Sequence, residues 1–374
     1  MSGKTEDAAA RRPEANAANA VRDEDRVAAG SLILAVETSC DETAVAVVRD
    51  GREILANVIG SQIDIHRQFG GVVPEIASRQ HVESITLIAR QAVREAGIAL
   101  QDVSAVAVTQ GPGLVGALLV GIVAAKSLAL ALDVPLIGTH HIAGHIYANR
   151  LVEELSYPAL ALVVSGGHTE LVVLEREGRF HIIGRTRDDA VGEAYDKVAR
   201  ALECPYPGGP HVDALAAGSA DEIVLPRAWL EPDAYDFSFS GLKSAVLAQL
   251  NQARMKRQPI DREALAAGFQ ASVIDVLVTK AMRAAREYDV RQLLLCGGVA
   301  ANKGLRAALG ERCREAGLPL VVPPLVLCTD NAAMIGAAAH LKWQRGEFTP
   351  LDMKADPQLP LEQWSVGPAS NRKK

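Results

Sequence analysis

The feature that most limits what this chain can become is a pattern that occurs twice. From Ser31, SLILAVETSCDETAVAVVRDGREILANVIG places apolar runs at Leu32–Val36 and Ala44–Val48 on either side of a polar turn, and Arg52–Ile59 makes a third strand. From Leu160, LALVVSGGHTELVVLEREGRFHIIGRT repeats strand, polar turn, strand, turn, strand. A helical pattern from Pro74 to about Ala96, the strand VSAVAVTQ, an apolar helix from Leu114, the short strand VPLIG and a histidine-bearing helix follow the first unit. Helices at Ala190–Leu202 and Arg262–Tyr288, a strand at Gln292–Cys296, a helix, a short strand at Leu318–Val322 and a last helix from about Asn331 follow the second. The halves share negligible residue identity, so the order of elements carries the inference of duplication.

Two such halves facing a cleft are the layout of the α/β, duplicated, two-lobed fold of actin, Hsp70 and the sugar kinases, in which phosphates sit on polar turns between paired strands. The expected organisation is a first lobe over 31–150 and a second over 151–346. An insertion near 205–258, Pro- and Gly-rich at its start, interrupts the second lobe, and a C-terminal tail covers 347–374. Residues 1–30 mix acids, bases and alanines without an apolar run, which fits neither a signal peptide nor a transit peptide and reads as a disordered cytoplasmic tail. The longest apolar run, LVGALLVGIVAAKSLALAL, is interrupted by Lys126 and follows a strand, so it reads as a buried helix rather than a membrane span.

Charge and cysteine usage narrow the function. A net charge of −6 over 374 residues excludes a general nucleic-acid binder, and any RNA contact needs a local basic patch. Arg254, Lys256 and Arg257, and the terminal Asn371-Arg-Lys-Lys374, are modest clusters of that kind, for which a solvated face is the favoured reading. Five scattered cysteines with no CxxC pair point to a reducing, cytoplasmic setting and against a cysteine-rich zinc site.

HHIAGH at 140–145 is the sharpest chemical signal. His141 and His145 are four apart and share one helix face, close enough to hold one ion, although capping or core histidines give the same spacing. A zinc protease needs HExxH, with glutamate after the first histidine as base; here that position is Ile142. LCTDNAAMIG offers Asp330 as a third ligand, although on its own an Asp followed by Asn-Ala-Ala is favoured as a helix N-cap. Two histidines and a carboxylate suit iron(II), with zinc also possible.

Three glycine turns in the second half favour a nucleotide cleft: Ser165-Gly166-Gly167 between two strands, CGGVAANKGLR with Asn302 early in a helix, and YPGGP with Gly208 and Gly209 ahead of Asp213. Glu37, Asp41 and Glu42 lie on the first strand turn, where such acids hold magnesium in kinases of this fold or face solvent. Asp196 follows Gly192 by one helical turn.

Taken together, ETSCDETAVAV, GVVPEIASRQH, TQGPGLVGALLVG, HHIAGH, LVVSGGHTEL, DDAVGEAYDKVARAL, YPGGP, DFSFSGLKSA, CGGVAANKGLR and CTDNAAMIGAAA, in this order from Leu32 to about Gln344, resemble one family closely. It is the universal tRNA N6-adenosine threonylcarbamoyltransferases, called TsaD in bacteria and formerly described as O-sialoglycoprotein endopeptidases. The resemblance implies transfer of threonylcarbamoyl from threonylcarbamoyl-AMP to the adenosine 3′ of the anticodon in tRNAs reading codons that begin with A. It implies His141, His145 and Asp330 as ligands of a metal, usually iron. It implies Val163, Val164, Ser165, Gly166, Gly167, Asp196, Gly209, Asp213 and Asn302 as adenylate contacts.

It also implies partners: a paralogue of the same fold, TsaB, and a small ATPase, TsaE, with a separate synthase making the adenylate. Small residues Gly116, Ala117, Gly121 and Ala124 can admit a partner helix or pack within their own lobe. Asp41 and Glu42 are the candidates for a general base toward the adenine amine. Three other readings compete. A sugar kinase or ATPase of this fold has no need of HHIAGH with a distant aspartate. A metallopeptidase is opposed by Ile142. A noncatalytic scaffold is disfavoured because every ligand position is filled.

Overall fold

A computed structural model describes residues 30–365, apart from 220 and 232. The tail expected before Gly30 and the basic cluster at 371–374 lie outside the described residues.

Strands β1 (Leu32–Glu37), β2 (Glu42–Arg49), β3 (Glu53–Ser61), β4 (Ala105–Gly111) and β5 (Leu136–His140) form one sheet in the order β3-β2-β1-β4-β5. β1 pairs antiparallel with β2, Ile33 opposite Val48, and parallel with β4, Ile33 opposite Ala105. Its apolar run is continuous because both faces of this central strand are covered. β6 (Ala159–Val164), β7 (Thr169–Arg176), β8 (Arg179–Arg185), β9 (Gln292–Cys296) and β10 (Leu320–Val321) repeat that topology as β10-β9-β6-β7-β8. The same strand order in two sheets of unrelated sequence is the duplication expected from the order of elements.

In the first lobe a single-turn helix α1 (Ile63–Arg67) precedes α2 (Pro74–Ala96) and α3 (Val115–Leu132), which cover one face of the first sheet. Next comes α4 (His141–Tyr147). In the second lobe α5 (Val191–Ala201), α6 (Gly208–Ala217), α7 (Ser240–Lys256) and the long α8 (Arg262–Glu287) cover one face of the second sheet, and α9 (Lys303–Glu315), α10 (Leu325–Cys328) and α11 (Ala332–Arg345) follow. α6 and α7 come from the 205–258 stretch.

Two helices cross between the lobes. α4 follows the first sheet in sequence, yet Ile142, Ile146 and Tyr147 pack with Ala161, Val163 and Leu294 of the second. α11 follows the second sheet, yet Ala333, Ile335 and Ala339 pack with Ile33, Ala46 and Val48 of the first. Burying each such Leu, Ile or Val side chain contributes about 1.5–3 kcal/mol, so the two crossing helices bind the lobes together as a shared middle layer.

The apolar helix α3 departs from the fully buried helix expected. Its inner face, including Ala117, Leu118, Gly121 and Ile122, seats on the sheet. Its outer face leaves Val115 54%, Leu119 46%, Val123 60% and Leu130 71% exposed. α3 and α8 are both long and apolar enough to cross a membrane, but α8 is a core helix, 72% buried, and α3 is 33% buried with one face against the sheet.

Candidate metal centre and glycine-lined cleft

α4 begins where β5 ends, so its histidines emerge between the sheets. His140 is the N-cap: its Nδ1 accepts the Ile142 N–H (3.1 Å) and its Nε2 donates to the Leu359 carbonyl (2.8 Å). Burial pushes its pKa down to about 3. With both nitrogens engaged, His140 is no ligand. His141 and His145 point the other way, their rings 4.7 Å apart and nearly perpendicular.

Asp330 reaches them from the loop before α11. The competing N-cap role falls to its neighbour: Asn331 Oδ1 accepts the Met334 N–H (3.0 Å), and Asn331 Nδ2 donates to the Thr329 carbonyl (2.8 Å). Asp330 Oδ1 is thereby free to lie 3.1 Å from His145 Nε2 and 3.6 Å from His141 Nε2. One donor atom from each of the three side chains falls within 4.8 Å of the others, as a single cation requires.

Three features fit this site to a metal. His145 is buried with neither ring nitrogen in a properly aligned hydrogen bond, its 3.1 Å approach to Asp330 being off-axis. Leaving a buried polar group unsatisfied costs about 1–3 kcal/mol, which a cation shared with Asp330 removes. Second, Glu37 Oε2 lies 3.1 Å from His141 Nδ1, which also lies 3.1 Å from Ser39 Oγ. An acceptor on Nδ1 fixes the tautomer with the Nε2 lone pair facing Asp330, the usual support of a metal-bound imidazole. Thr109 Oγ1 (2.6 Å) and the Ser39 N–H in turn donate to Glu37.

Third, the charges need a cation. Burial alone raises a carboxylate's pKa, yet His141 holds Glu37 below its usual value, and His141 and His145 hold Asp330 well below. Burial disfavours a charged His141, but Asp330 and Glu37 overcome it and push its pKa up to about 9. A proton there offsets one of the two carboxylate charges, and a divalent cation would offset both.

The 165–167 turn lies near this centre, since His141 and His145 act electrostatically on the adjoining His168. Added side chains at Gly166, Gly167, Gly209 and Gly298 would meet nothing within 4 Å. Beneath them the backbones are packed tight: the Gly192 N–H donates to the Ser165 carbonyl (3.2 Å), and a Cβ on Gly192 would sit 2.6 Å from that oxygen. Gly297, at φ +91° against the Val164 carbonyl, adopts a conformation only glycine takes readily. Ser165 exchanges hydrogen bonds with His168 across the turn (2.8 and 3.0 Å). Val163 and Val164 bury their side chains in the two cores and offer only backbone.

The polar residues expected along the cleft form two groups. Asp196 Oδ1 accepts the Gly208 N–H (2.7 Å) and holds the N-terminus of α6, where Gly209 faces open space. Asn302 Nδ2 donates to Asp213 Oδ1 (3.0 Å) and Gln270 Oε1 (2.7 Å), while Gln270 Nε2 donates to Asp213 Oδ1 (3.1 Å) and Tyr195 OH to Gln270 Oε1 (3.3 Å). Asn302 caps α9, accepting the Leu305 N–H (2.8 Å).

Across the cleft, Asp41 is buried and Glu42 half-buried. Burial, then Asp41 and Asp330, push Glu42 up to about 10, so it holds a proton at neutral pH. Burial, then Asp41 and Asp196, raise Tyr206 of the second lobe, so the acids of one lobe face Tyr206 and Asp196 of the other.

Sequence reasoning missed four participants. Glu37 was grouped with magnesium-holding acids, but its carboxylate is turned inward onto His141. Tyr195 and Gln270 sit in helices where nothing in the spacing marks them. His168, in SGGHTE, has its pKa pushed down to about 4 by burial and the neighbouring His141 and His145. Of the small residues on α3, Gly121 abuts Thr38 and Ala117 is fully buried, both within the lobe, while Gly116 lies against Ser78 but is exposed. Arg254, Lys256 and Arg257 are exposed at the C-terminal end of α7.

A family model described as tRNA N6-adenosine threonylcarbamoyltransferase (TsaD) matches residues 53–337. A protein of that name from Halalkalibacterium halodurans is 64% identical over 331 residues, spanning 88% of this chain and 96% of the relative. Another from Bacillus cereus is 62% identical over 333 residues, spanning 89% and 97%. Among solved structures, the T. kodakarensis HypF protein aligns with a TM-score of 0.58 at 14% identity, over 87% of this chain and 49% of that one. The activator of the 2-hydroxyisocaproyl-CoA dehydratase from Clostridium difficile, with bound ADPNP, aligns at 0.50 and 16%, over 83% and 94%. These two likenesses concern the fold alone.

Proposed function

The chain belongs to the tRNA N6-adenosine threonylcarbamoyltransferase family, and on that premise we propose that it transfers threonylcarbamoyl from threonylcarbamoyl-AMP to N6 of the adenosine 3′ of the anticodon, in tRNAs reading codons that begin with A. The observation that carries this reading is the buried His141–His145–Asp330 centre beside a floor of open glycines. The bound metal is iron(II), with zinc the other ion this donor set suits. It supplies Lewis-acid stabilisation of anionic oxygen.

The remaining work belongs to the chain. The adenine amine is a poor nucleophile because its lone pair is delocalised into the ring, so the donor must be an activated mixed anhydride. The amine nitrogen forms a bond to the carbamoyl carbon, the bond from that carbon to the phosphate oxygen breaks, and AMP leaves with the electron pair. Backbone N–H groups of Gly166 and Gly167 in the 165–167 turn are suited to the phosphate. The Asp213–Asn302 pair is suited to the nucleoside. Asp41 or, once it has lost its own proton, Glu42 takes the amine proton.

We assign the partners on the same footing: a TsaB-like paralogue, a TsaE-like ATPase and tRNA, in the cytoplasm. The exposed apolar stripe Val115–Leu119–Val123–Leu130 supports docking of the paralogue better than the inward-facing Gly121 does. A peptidase reading is disfavoured because Ile142, where that chemistry needs a glutamate, is buried in the core at 1% exposure.

The test is mass spectrometry of tRNA nucleosides after incubation with the partners, the separate adenylate synthase, threonine, bicarbonate and ATP. Threonylcarbamoyladenosine forms with the wild type and is lost with His141→Ala. A metal-free His141→Ala protein with normal transfer removes the metal from the mechanism.

A further inference from the structure

GVVPEIASRQH and the segment before it contribute two histidines, His66 and His81, that the reaction above does not use. Both are fully buried, and their hydrogen bonds run in one direction. The Val73 N–H donates to His66 Nδ1 (3.3 Å), which leaves His66 Nε2–H to donate to Gln62 Oε1 (3.1 Å). Gln62 Nε2 then donates to the Ala77 carbonyl (3.3 Å) and lies 3.4 Å from His81 Nδ1. His81 Nδ1 accepts from Thr43 Oγ1 (2.7 Å), and its Nε2–H donates to the Cys40 carbonyl (3.0 Å). The backbone N–H of Gln62 donates to the Asp41 carbonyl (3.2 Å). The turn carrying Asp41 and Glu42 is thus held from behind at Cys40, Asp41 and Thr43.

The other end of this relay reaches the second lobe. The His66 carbonyl accepts the N–H groups of Phe69 (3.0 Å) and Gly71 (3.3 Å), which shapes the loop after α1. The Gly70 carbonyl in that loop accepts from Arg200 Nη2, and Arg67 Nε donates to the Tyr206 carbonyl (3.1 Å). Arg200 lies one turn beyond Asp196 on α5, and Tyr206 lies two residues before Gly208, whose N–H Asp196 holds. Hydrogen bonds linked through the backbone at 66–71 and 206–208 therefore join the Asp196–Gly209 side of the cleft to the Asp41–Glu42 side.

We propose that residues 62–73 form an interlobe clasp in which Gln62, His66 and His81 are positioning residues, coupling occupancy of the Asp196–Gly209 site by an adenylate to the placement of Asp41 and Glu42. The inference rests on the reading of the cleft given above. Its physical basis is that buried, fully satisfied polar networks hold one geometry rigidly and pass a displacement at one end to the other.

The test uses the full-length chain with its partners, and AMP as the probe. Backbone hydrogen exchange at residues 40–43 slows at least about tenfold when AMP binds the wild type. The Arg67→Ala/Arg200→Ala double variant binds AMP at one site per chain without that slowing, and its kcat for transfer falls at least about tenfold with metal content and thermal midpoint unchanged. Arg200→Lys, which keeps a donor for the Gly70 carbonyl, retains both responses. Both arginines are exposed, so the double variant folds where a buried Gln62→Leu variant can fail to. Wild-type protein that binds AMP with no slowing at 40–43, or a double variant that responds like wild type, overturns the clasp alone. A wild type that does not bind AMP overturns the clasp and the adenylate reading together.

Discussion

Glu37 Oε2 and His141 Nδ1 lie 3.1 Å apart, joining the end of the first strand to the helix that carries both candidate imidazole ligands. The Glu37 carboxylate fixes the ring and raises its basicity without itself facing the cleft. Glu37→Gln keeps an acceptor for Nδ1–H but removes the charge, so metal affinity falls by about 10–100-fold while the fold is retained. Competition titration with a chromogenic chelator measures the change, and unaltered affinity would falsify this role for Glu37.

Adjacent residues divide two jobs before α11. Asp330→Asn abolishes metal retention and leaves the helix cap intact. Asn331→Ala lowers unfolding free energy by about 0.5–2 kcal/mol through loss of the cap. Metal analysis of anaerobically purified protein and urea denaturation separate the two effects, and a large metal loss in neither variant contradicts the assignment.

Metal-free protein has a characteristic pH response. His141 is raised from 6.5 to about 9 on folding, so its contribution is complete below about pH 6.5 and is lost as pH rises through 9. Glu37 and Asp330 are lowered, so theirs is present above the unfolded values of 4.5 and 3.8 and is lost on acidification. Stability of the chelator-treated protein from this cluster is therefore greatest between about pH 4.5 and 6.5 and declines toward pH 9. Metal replaces the His141 proton, so the alkaline decline vanishes in the loaded protein. Denaturant midpoints across pH 5–9.5, with and without metal, check this.

Glu42 holds its proton at neutral pH, so Glu42→Gln imitates its resting state and keeps kcat within about tenfold of wild type. Asp41→Asn, at the other candidate base, lowers kcat by about 10²–10⁴-fold. Single-turnover transfer from pre-formed adenylate distinguishes them, and the reverse order moves the base assignment to Glu42.

The two faces of α3 answer differently to substitution. Val123→Glu, on the exposed stripe, abolishes capture of the paralogue and leaves the thermal midpoint within error. Gly121→Leu drives a side chain into Thr38 and destabilises the lobe by about 1–3 kcal/mol or more. Size-exclusion chromatography of the mixed subunits, beside thermal melts, reads both.

Much was legible before any coordinates. Strand alternation and turn residues are local, so both three-strand units and the major helices outside 205–258 could be read from the chain, while α6 and α7, inside the stretch read as an insertion, were not. The spacing of His141 and His145 likewise fixes their common helix face. Asp330 could not be told from a cap, because Asp and Asn side by side offer the same capping oxygen and only their directions differ. Glu37 looked like an acid of the cleft because sequence does not say to which side of a strand's last residue the cleft lies. The small residues of α3 suggested a partner-facing surface, yet close approach serves a lobe's own packing equally well.

By itself, then, the sequence determined the repeated order of elements and the residue type of each candidate ligand, since these follow from propensity, periodicity and residue type. Only the tertiary structure decided that α4 and α11 exchange sheets. That exchange brings residues 185 positions apart in the chain, His145 and Asp330, to 3.1 Å. The reason is that helix packing is driven by burial of apolar faces, which is non-directional in sequence. A chain does not write down which sheet each helix will cover.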